Sequence, residues 1–316
     1  MDAITGNGPN SLKNRRAGLS PEGDTAAPMT MCQACGRRYL RAWFIKENSH
    51  GRFPILICPA CRSAFVWPRP GGNEIESFYR SSSYKNETIE QVCQSEPSYY
   101  PDASTDAARI IAICRKLAQG RLFLDIGAGF GEFSRAAAIS GMDVTACEPN
   151  ANSRRIFSEI NGFEPASSMF DKSYAQEVNA RFDVVLASHV LEHVPEPGAF
   201  VENLSLVLKP GGIGAIAVPH RGSMLSRFQG KNDMFISPPE HLNFFSRRGL
   251  VRLFERQGFD LLVLKTVSKV NRTSVGNKFR WRPLRPLAWR TFYLSLRVSD
   301  VLGGGMVLNA FFKKVR

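Results

Sequence analysis

The stretch that decides the fold is residues 122–132, LFLDIGAGFGE. A short apolar run ends at Asp125, and the glycines at 127, 129 and 131 then lead into a helical pattern that reaches Ser140. This strand–loop–helix order is typical of α/β sheets in which a ligand binds beyond the carboxyl ends of the strands. The first two glycines allow a ligand to approach the backbone closely, and the third allows the helix to pack near the strand.

Two acids narrow the kind of ligand. A dinucleotide-binding loop, G-x-G-x-x-G, would need glycine at position 132, which is Glu132. A carboxylate at a helix N-terminus repels a pyrophosphate, so the loop favours a ligand without phosphates. Glu148 closes the second predicted strand, where a carboxylate can accept both hydroxyls of a ribose. The alternative for Glu148 is an ordinary exposed acid.

The pattern of strands and helices continues to the end of the chain. Strands are predicted at 122–126, 142–147, 182–188, 213–218, 259–269 and 305–314, and helices at 106–117, 130–140, 150–160, 199–208 and 246–257. Strands alternating with helices of this length predict an α/β fold with a doubly wound, largely parallel sheet. We assign this domain to residues 105–316, with a basic insertion at 271–303 before the last strand.

The N-terminal third has a different character. Residues 1–30 are poor in periodic apolar residues and are predicted to be a disordered arm, and residues 71–104 a linker. Between them, residues 31–70 contain two Cys-x-x-Cys pairs, formed by Cys32, Cys35, Cys58 and Cys61. Two such pairs are typical of a structural Zn²⁺ site, closed because four thiolates leave no position for water. Disulfide bonds are the alternative, which a cytosolic location disfavours.

Composition and charge limit the classes of function and partner that are possible. The chain has 316 residues, 43% hydrophobic and 22% charged, which fits one large and one small globular domain. The net charge is +13, with +11 carried by residues 265–316 and −4 by residues 71–264. A mildly acidic middle makes nucleic acid the less favoured partner, and an anionic membrane or a phosphate-bearing substrate could bind the basic C-terminal segment. With no apolar leader or span, we expect a cytoplasmic protein, with peripheral membrane contact as an alternative.

Four motifs in order carry a family resemblance. The glycine loop, Glu148, residues 182–194 (FDVVLASHVLEHV) and residues 208–212 (LKPGG) resemble the class I S-adenosylmethionine-dependent methyltransferases of types 11, 12 and 23, over about residues 105–270. The cysteine-rich front is similar to a bacterial subgroup with a zinc-ribbon-like module, often encoded near polysaccharide or glycolipid biosynthesis. The resemblance implies a Rossmann-like sheet of seven strands.

The resemblance also implies the cofactor, S-adenosyl-L-methionine, and the residues that hold it. Asp125 would hold the amino end of its methionine part, Gly127 and Gly129 would contact that part by backbone, and Glu148 would bind the ribose. The same pocket would include Ala128, Gly131, Pro149, Ala187 and Ser188. The acid that often binds adenine is missing from residues 165–169, where Ser167 or Ser168 is the possible substitute.

Histidines are the candidates for a catalytic base. His241, in the long connection 219–245, comes first, and His189, at the end of a strand, comes second; for both, a structural role is the alternative. Glu192 and His193 are interpreted as the start of a helix. Because the motifs of amino-methylating and cytosine-C5 enzymes are absent, we expect methylation of an O or C nucleophile on a small metabolite, such as a sugar or lipid-linked intermediate. An RNA methyltransferase and a non-catalytic cofactor-binding protein remain alternatives.

Overall fold

The structure, a computed structural model, describes residues 31–69, 99–100, 103–268, 270–271 and 285–315. The predicted disordered arm at 1–30 lies outside these residues. So do nearly all of the predicted linker and the first part of the basic insertion, residues 272–284. The division into arm, module, linker and methyltransferase domain therefore stays a prediction.

The strands, in chain order, are β1 (Arg41–Asn48), β2 (Gly51–Ile57), β3 (Ala64–Val66), β4 (Tyr99–Tyr100), β5 (Leu122–Ile126), β6 (Asp143–Cys147), β7 (Phe182–Ser188), β8 (Leu208–Pro219), β9 (Asn243–Phe244), β10 (Phe259–Val267), β11 (Val270–Asn271) and β12 (Val307–Lys314). The helices are α1 (Ala103–Leu117), α2 (Glu132–Ile139), α3 (Ala151–Asn161), α4 (Lys172–Glu177), α5 (Pro197–Val207), α6 (Met224–Gln229), α7 (Arg247–Glu255) and α8 (Arg285–Val301). A 3₁₀ turn, Gly230–Asn232, follows α6.

The main sheet has the order β10-β12-β8-β7-β5-β6. Strands β6, β5, β7 and β8 are parallel, and β12 runs antiparallel to both of its neighbours. The predicted Rossmann-like class is thereby confirmed, but the described part of this sheet has six strands, not the expected seven. Beyond β6, one parallel bridge joins Cys147 to Ala166. The neighbouring Pro165 has no N–H to donate, so pairing does not extend into a further strand.

Strand β7 shows how the sheet is buried on both faces. Val185 and Ala187 belong to one hydrophobic cluster, and Val184 and Leu186 belong to another. Side chains along a strand alternate between faces, so these two clusters lie on opposite sides of the sheet. The first cluster includes residues of α5 and α7, and the second includes residues of α1 and α2. Helices therefore cover both faces, as in a doubly wound fold.

The cysteine-rich module shares structure with the rest of the chain. Its strands β1, β2 and β3 form an antiparallel sheet that is completed by β9, from the connection between β8 and α7. Ala64 pairs with Phe244, and Phe65 pairs with Asn243. Three of the four cysteines and Phe65 belong to the same buried cluster as the α7 residues. The module and the main sheet therefore have a common core.

The long connection from β8 to α7 is folded against the module. Asn48 Nδ2 donates a hydrogen bond to the carbonyl of Pro238 over 2.6 Å, and Lys46 Nζ donates to that of Lys231 over 3.1 Å. The connection ends at Ser246, whose hydroxyl caps α7 by accepting a hydrogen bond from Gly249 N–H. The segment in which His241 lies is therefore held in place by the module.

Much of the basic insertion forms a helix, α8. Leu294 and Val298 are exposed, whereas Ser299 is buried, and the Asp300 carboxylate accepts a hydrogen bond from Ser268 beside β10. Among the described residues, no helix is both long and apolar enough to cross a membrane.

Candidate functional site

The glycine loop between β5 and α2 adopts backbone conformations that glycine favours. Gly127, Gly129 and Gly131 have φ values of 64°, 57° and 86°. A Cβ atom on Gly127 would lie 2.7 Å from Val190 Cγ2, so the loop also lacks space for a side chain there. The N–H groups of Gly127 and Ala128 donate to the carbonyl of Cys147 at the end of β6, over 2.9 and 3.1 Å. These bonds fix the loop over the carboxyl ends of β5 and β6.

Asp125 is a buried acid at the end of β5. Ser134 donates a hydrogen bond to its Oδ2 over 2.7 Å, and no described cation forms an ion pair with it. Burial raises the pKa of Asp125 to about 7; the Ser134 hydrogen bond opposes this rise and the nearby charge of Glu148 adds to it. The carboxylate is therefore costly to ionise until a cation pairs with it.

Glu148 braces the glycine loop. Its Oε2 accepts a hydrogen bond from Gly129 N–H and its Oε1 accepts one from Asn150 N–H, each over 2.8 Å. The side chain is only 4% exposed. Each carboxylate oxygen has a second lone pair, so the predicted contact with a ribose is compatible with this bracing. The bracing itself had no signal in the sequence.

A cleft of about 400 Å³ opens beside the glycine loop. It is lined by Asp125, Gly127, Ala128, Gly129, Phe130, Glu132, Phe133, Ser188, His189, Glu192, His193, Glu240 and His241. Most of the residues predicted from the sequence thus converge, including both candidate bases. Four predicted cofactor residues, Gly131, Glu148, Pro149 and Ala187, lie outside this lining; Ala187 is fully buried in the sheet.

Glu192 organises the histidines of the cleft. His189 Nδ1 lies 2.9 Å from Glu192 Oε1, and the Glu192 side chain is only 1% exposed. Burial opposes its ionisation, but the His189 hydrogen bond and the charges of His189, His193 and His241 outweigh burial and lower the pKa of Glu192. Its Oε2 is buried without a hydrogen-bond partner. An ionised Glu192 accepts a hydrogen bond from His189 Nδ1 and thereby orients that ring.

His193 and His241 lie together opposite the glycine loop. Their ring centroids are 4.8 Å apart, and each ring bonds through Nδ1 to a backbone carbonyl: that of Glu240 for His193 and of Phe235 for His241. Burial lowers the pKa of His193, against the opposing charge of Glu192. When the Nδ1–H group of a neutral ring donates a hydrogen bond to a carbonyl, Nε2 is the acceptor, suited to take a proton or to bind a metal.

The group Glu192, His193 and His241 could hold a metal ion, since one ligand atom from each lies within 4.8 Å of the others. The interpretation of Glu192 and His193 as the start of a helix is wrong, because α5 begins only at Pro197. Both residues lie in the turn between β7 and α5, and Asn243 Nδ2 bonds that turn through the carbonyls of Leu191 and Val194. Only the tertiary fold brings β9 against this turn.

The four cysteines of the module form one compact cluster. Their sulfur atoms all lie within 4.8 Å of one another, with Cys32 and Cys61, and Cys35 and Cys58, 3.6 Å apart. A disulfide bond is about 2.05 Å long, so the four are free thiols. A tetrahedron with metal–sulfur bonds of about 2.3 Å has edges of about 3.8 Å, which fits these separations. Backbone N–H groups of Cys35 and Ser63 point at the sulfurs of Cys32 and Cys61.

Comparison with known proteins identifies the class. The family described as "Methyltransferase domain" matches residues 102–264, just over half of the chain. The chain belongs to this family, which confirms the sequence-based assignment to the S-adenosylmethionine-dependent methyltransferases.

Individual relatives are similar over part of their length. Ubiquinone biosynthesis O-methyltransferases are 34% identical over 99 residues in Bordetella avium and 26% identical over 171 residues in Aeromonas salmonicida. These matches cover 30% and 51% of this chain, and 41% and 71% of the relatives. A match in Nitrobacter winogradskyi covers 57% of that protein, so the chain spans about two fifths to three fifths of several curated relatives.

A solved structure supports the fold. The 1,6-didemethyltoxoflavin-N1-methyltransferase of Burkholderia thailandensis, with bound 1,6-didemethyltoxoflavin and S-adenosylhomocysteine, is 17% identical, with a TM-score of 0.50. The match covers 87% of this chain and 99% of that one. At this identity the likeness concerns the fold alone.

The residues present fit S-adenosylmethionine. The buried carboxylate of Asp125 has no cationic partner among the described residues, and the methionine end of this cofactor carries an ammonium group. Backbone at Gly127 and Gly129 borders the same cleft, and the described residues that line it include no lysine or arginine. The cleft is therefore suited to a cation without phosphates.

Proposed function

We propose that this protein transfers a methyl group from S-adenosylmethionine to an oxygen or carbon nucleophile of a small metabolite. The observation that carries the proposal is the cleft in which His189 and His241 lie with the glycine loop and Asp125. Its relatives named as O-methyltransferases favour oxygen as the nucleophile. A sugar or a lipid-linked intermediate is the acceptor class we favour, as expected from the cysteine-rich front.

The cofactor, when bound, supplies an electrophilic methyl group on a sulfonium sulfur. Asp125 would pair with its ammonium group, Glu148 would keep Gly129 in position, and the walls of the cleft would align the acceptor and exclude water. A histidine nitrogen would accept the proton that the acceptor oxygen or carbon loses when it is methylated, and the broken carbon–sulfur bond would leave its electron pair on the sulfur of the released cofactor product.

His241 remains the first candidate for this base. Its Nδ1 is bonded to the carbonyl of Phe235, which leaves Nε2 of the neutral ring to accept a proton. His189 is the second candidate, and its Nδ1 is bonded to the buried carboxylate of Glu192, which orients the ring. If His241 is the base, His189 would position the acceptor through its other ring nitrogen, Nε2.

The test has a binding arm and a turnover arm. Calorimetry with S-adenosylmethionine and NAD should show saturable binding of the first alone, because Glu132 and the lack of cations disfavour a pyrophosphate. S-adenosylhomocysteine release is then measured with phenolic, sugar and polyprenyl acceptors, for wild type and for His241→Gln and His189→Gln. We expect His241→Gln to lower kcat by about 10²-fold or more without changing cofactor affinity.

Two outcomes would overturn parts of the proposal. Cofactor binding without turnover on any acceptor would favour the non-catalytic alternative, and turnover on RNA alone would favour the RNA methyltransferase. If His241→Gln keeps full turnover and His189→Gln loses it, His189 is the base and His241 positions the acceptor.

A structural Zn²⁺ in the four-cysteine cluster is part of the proposal. Four thiolates at tetrahedral spacing leave no open position, so the metal would hold the module together without entering the reaction. Metal content of the purified protein should be one zinc per chain, and Cys58→Ser should lose it.

The basic C-terminal segment would contact an anionic membrane surface or a phosphate-bearing substrate, with the protein otherwise cytoplasmic. The exposed apolar side chains of α8, Leu294 and Val298, support this part of the proposal. Sedimentation with anionic vesicles, for the wild-type chain and for the full-length double variant Leu294→Gln/Val298→Gln, tests it.

A further inference from the structure

A second cavity lies at the same edge of the sheet as the cofactor cleft. It has a volume of about 740 Å³ and opens beyond the carboxyl end of β8, between the cysteine-rich module and the connection to α7. The module lines it with Trp43 and residues 60–62, and the rest of the chain with residues 220–222, 226–227, 230, 246–248 and 303. The cavity shares no lining residue with the cofactor cleft.

Positive side chains predominate in the lining of this cavity. The described lining includes five arginines and no aspartate or glutamate; the arginines are Arg62, Arg221, Arg227, Arg247 and Arg248. The ion pairs among the described residues include none of these five, whereas Arg155 and Arg252, elsewhere on the surface, each pair with a glutamate. Two negative groups act on Arg221, the buried Asp233 and the thiolate form of Cys61, against five guanidinium groups. We refer to this feature as the arginine cavity.

Arg221 and His220 are surrounded by other groups of this cavity. Arg221 lies over the ring of Trp43, 4.3 Å from its centroid, donates to the carbonyl of Arg62, and has a buried Nε without a partner. Burial, together with the charge of Arg62, lowers the pKa of Arg221 to about 10. His220 is 5% exposed, and its pKa is lowered by burial and also by the charges of Arg227, Arg247 and Arg221. The lining of this cavity therefore takes guanidinium groups from the module, from the connection after β8 and from the start of α7.

Two of these arginines occupy an unfavourable place in their helix. Arg247 and Arg248 form the start of α7, directly after its cap, Ser246, and its first turn contains no acid. The N-terminus of a helix carries partial positive charge, which repels cations and attracts anions. Helix stability alone would favour Asp or Glu at these positions. Both side chains are exposed at the arginine cavity, so an anion there would be bound by guanidinium groups and helix N-terminus together.

We propose that the arginine cavity binds the phosphate or pyrophosphate group of a phosphorylated ligand, in a site distinct from the cofactor cleft. Arginine forks match phosphate oxygens in pairs, and one phosphate or pyrophosphate has enough oxygens to engage several guanidinium groups at once. Binding at this site does not require that methyl transfer occurs. Because part of the wall is module and part is the connection in which His241 lies, the occupied site would also join the two.

The experiment uses inorganic pyrophosphate as the probe and the zinc-loaded full chain. Calorimetry at low salt compares wild type, the double variant Arg247→Gln/Arg248→Gln and the control Arg252→Gln, an exposed arginine of the same helix outside the cavity. We expect the double variant to lose about tenfold or more in affinity and the control to bind as wild type does. Affinity for S-adenosylmethionine should be unchanged in all three proteins.

The unfolding temperature serves as the check on folding, because the two substitutions should leave it unchanged or raise it while they lower the affinity for pyrophosphate. Without pyrophosphate, the double variant should unfold at the same temperature as wild type or higher, because two cations have been removed from a helix N-terminus. A lower affinity for pyrophosphate with equal or greater stability cannot come from misfolding. Absence of pyrophosphate binding to wild type, or equal binding by wild type and the double variant, would overturn the proposal.

A second arm separates a soluble phosphate ester from a lipid headgroup. Vesicles of phosphatidylcholine with 20% phosphatidic acid are sedimented with each protein, with and without excess pyrophosphate. Retention that pyrophosphate and the double variant both abolish identifies a headgroup as a ligand, and no retention despite pyrophosphate binding identifies a soluble ester. Retention unaffected by both, together with no measurable pyrophosphate binding, overturns the proposal and leaves α8 as the membrane contact.

Discussion

At the scale of single residues, the cofactor cleft combines groups that are costly in isolation. Gly127 has a left-handed backbone without room for a side chain, and Asp125 is a carboxylate buried without a cation among the described residues. Such features reduce the stability of the empty protein and favour the bound state. Gly127 and Asp125 each lead to a testable prediction.

Gly127→Ala should disturb both the fold and the cleft. Its Cβ would lie 2.7 Å from Val190 Cγ2 in a backbone conformation with φ of 64°. We expect a loss of about 1–3 kcal/mol in unfolding free energy and at least tenfold weaker binding of S-adenosylmethionine. Gly141→Ala is the matched control, since Gly141 also has positive φ but no atom within 4 Å of the added Cβ. Gly141→Ala should lose about 1 kcal/mol in unfolding free energy and keep its affinity for S-adenosylmethionine. Equal losses of this affinity in Gly127→Ala and Gly141→Ala would contradict the prediction.

Asp125 should make the stability of the free protein depend on pH. Its pKa in the folded state, about 7, lies above the ordinary value of 3.8, so the folded state binds the proton more tightly. The stability due to this proton is fully present below about pH 4 and is lost as the pH rises through about 7. Asp125→Asn should therefore raise the unfolding free energy at pH 8 by about 1–3 kcal/mol and change it little at pH 4.

Urea unfolding at the two pH values measures this difference. Asp143→Asn, at an exposed acid of β6, serves as the control and should have little effect at either pH. Loss of stability by Asp125→Asn at pH 8 would show that the carboxylate is favourably paired in the free protein. The same variant should bind S-adenosylmethionine more weakly, because an amide offers no charge to an ammonium group.

At the scale of elements, β9 joins three parts of the molecule although it has only two residues. It pairs with β3 of the module, and Asn243 bonds through its amide group to the turn that contains Glu192 and His193. Asn243 Oδ1 also accepts a hydrogen bond from Arg69 over 2.7 Å. Asn243 is thus the link between the module and the histidines of the cleft.

Asn243→Ala should leave the carbonyls of Leu191 and Val194 without this donor. A buried polar group that loses its partner costs about 1–3 kcal/mol, so we expect a loss of that size in unfolding free energy. Because the turn also carries Glu192 and His193, kcat should fall more than cofactor affinity. Chemical denaturation and steady-state kinetics test both statements, and unchanged kcat in a destabilised variant would show that the turn holds its shape without β9.

At the scale of the whole molecule, the common core predicts that the module and the main sheet unfold together. Cys32, Cys58 and Cys61 belong to the same buried cluster as α7 and β7. Cys58→Ser, or removal of zinc by a chelator, should therefore lower the single thermal midpoint by roughly 5–10 °C. Calorimetry that shows two transitions, with the second unchanged, would contradict this prediction. Cys114→Ala is the control, since Cys114 is buried in α1 away from the cluster.

The sequence by itself determined the class of fold, the glycine loop that borders the cleft and the four-cysteine cluster. These depend on local patterns: the apolar run and glycines of residues 122–131, the alternation of strands and helices, and the spacing of Cys-x-x-Cys pairs. Such patterns express preferences of backbone and side chains within a few residues, which are readable without tertiary contacts.

Only the tertiary structure decided how distant segments meet. The bracing of the glycine loop by Glu148, the contact of His193 with His241 and the pairing of β3 with β9 join residues up to about 180 positions apart. The six-stranded extent of the main sheet, as far as the structure describes it, and the arginine cavity also depend on how distant segments meet. Their geometry depends on packing between elements, which the order of residues within any one element does not specify.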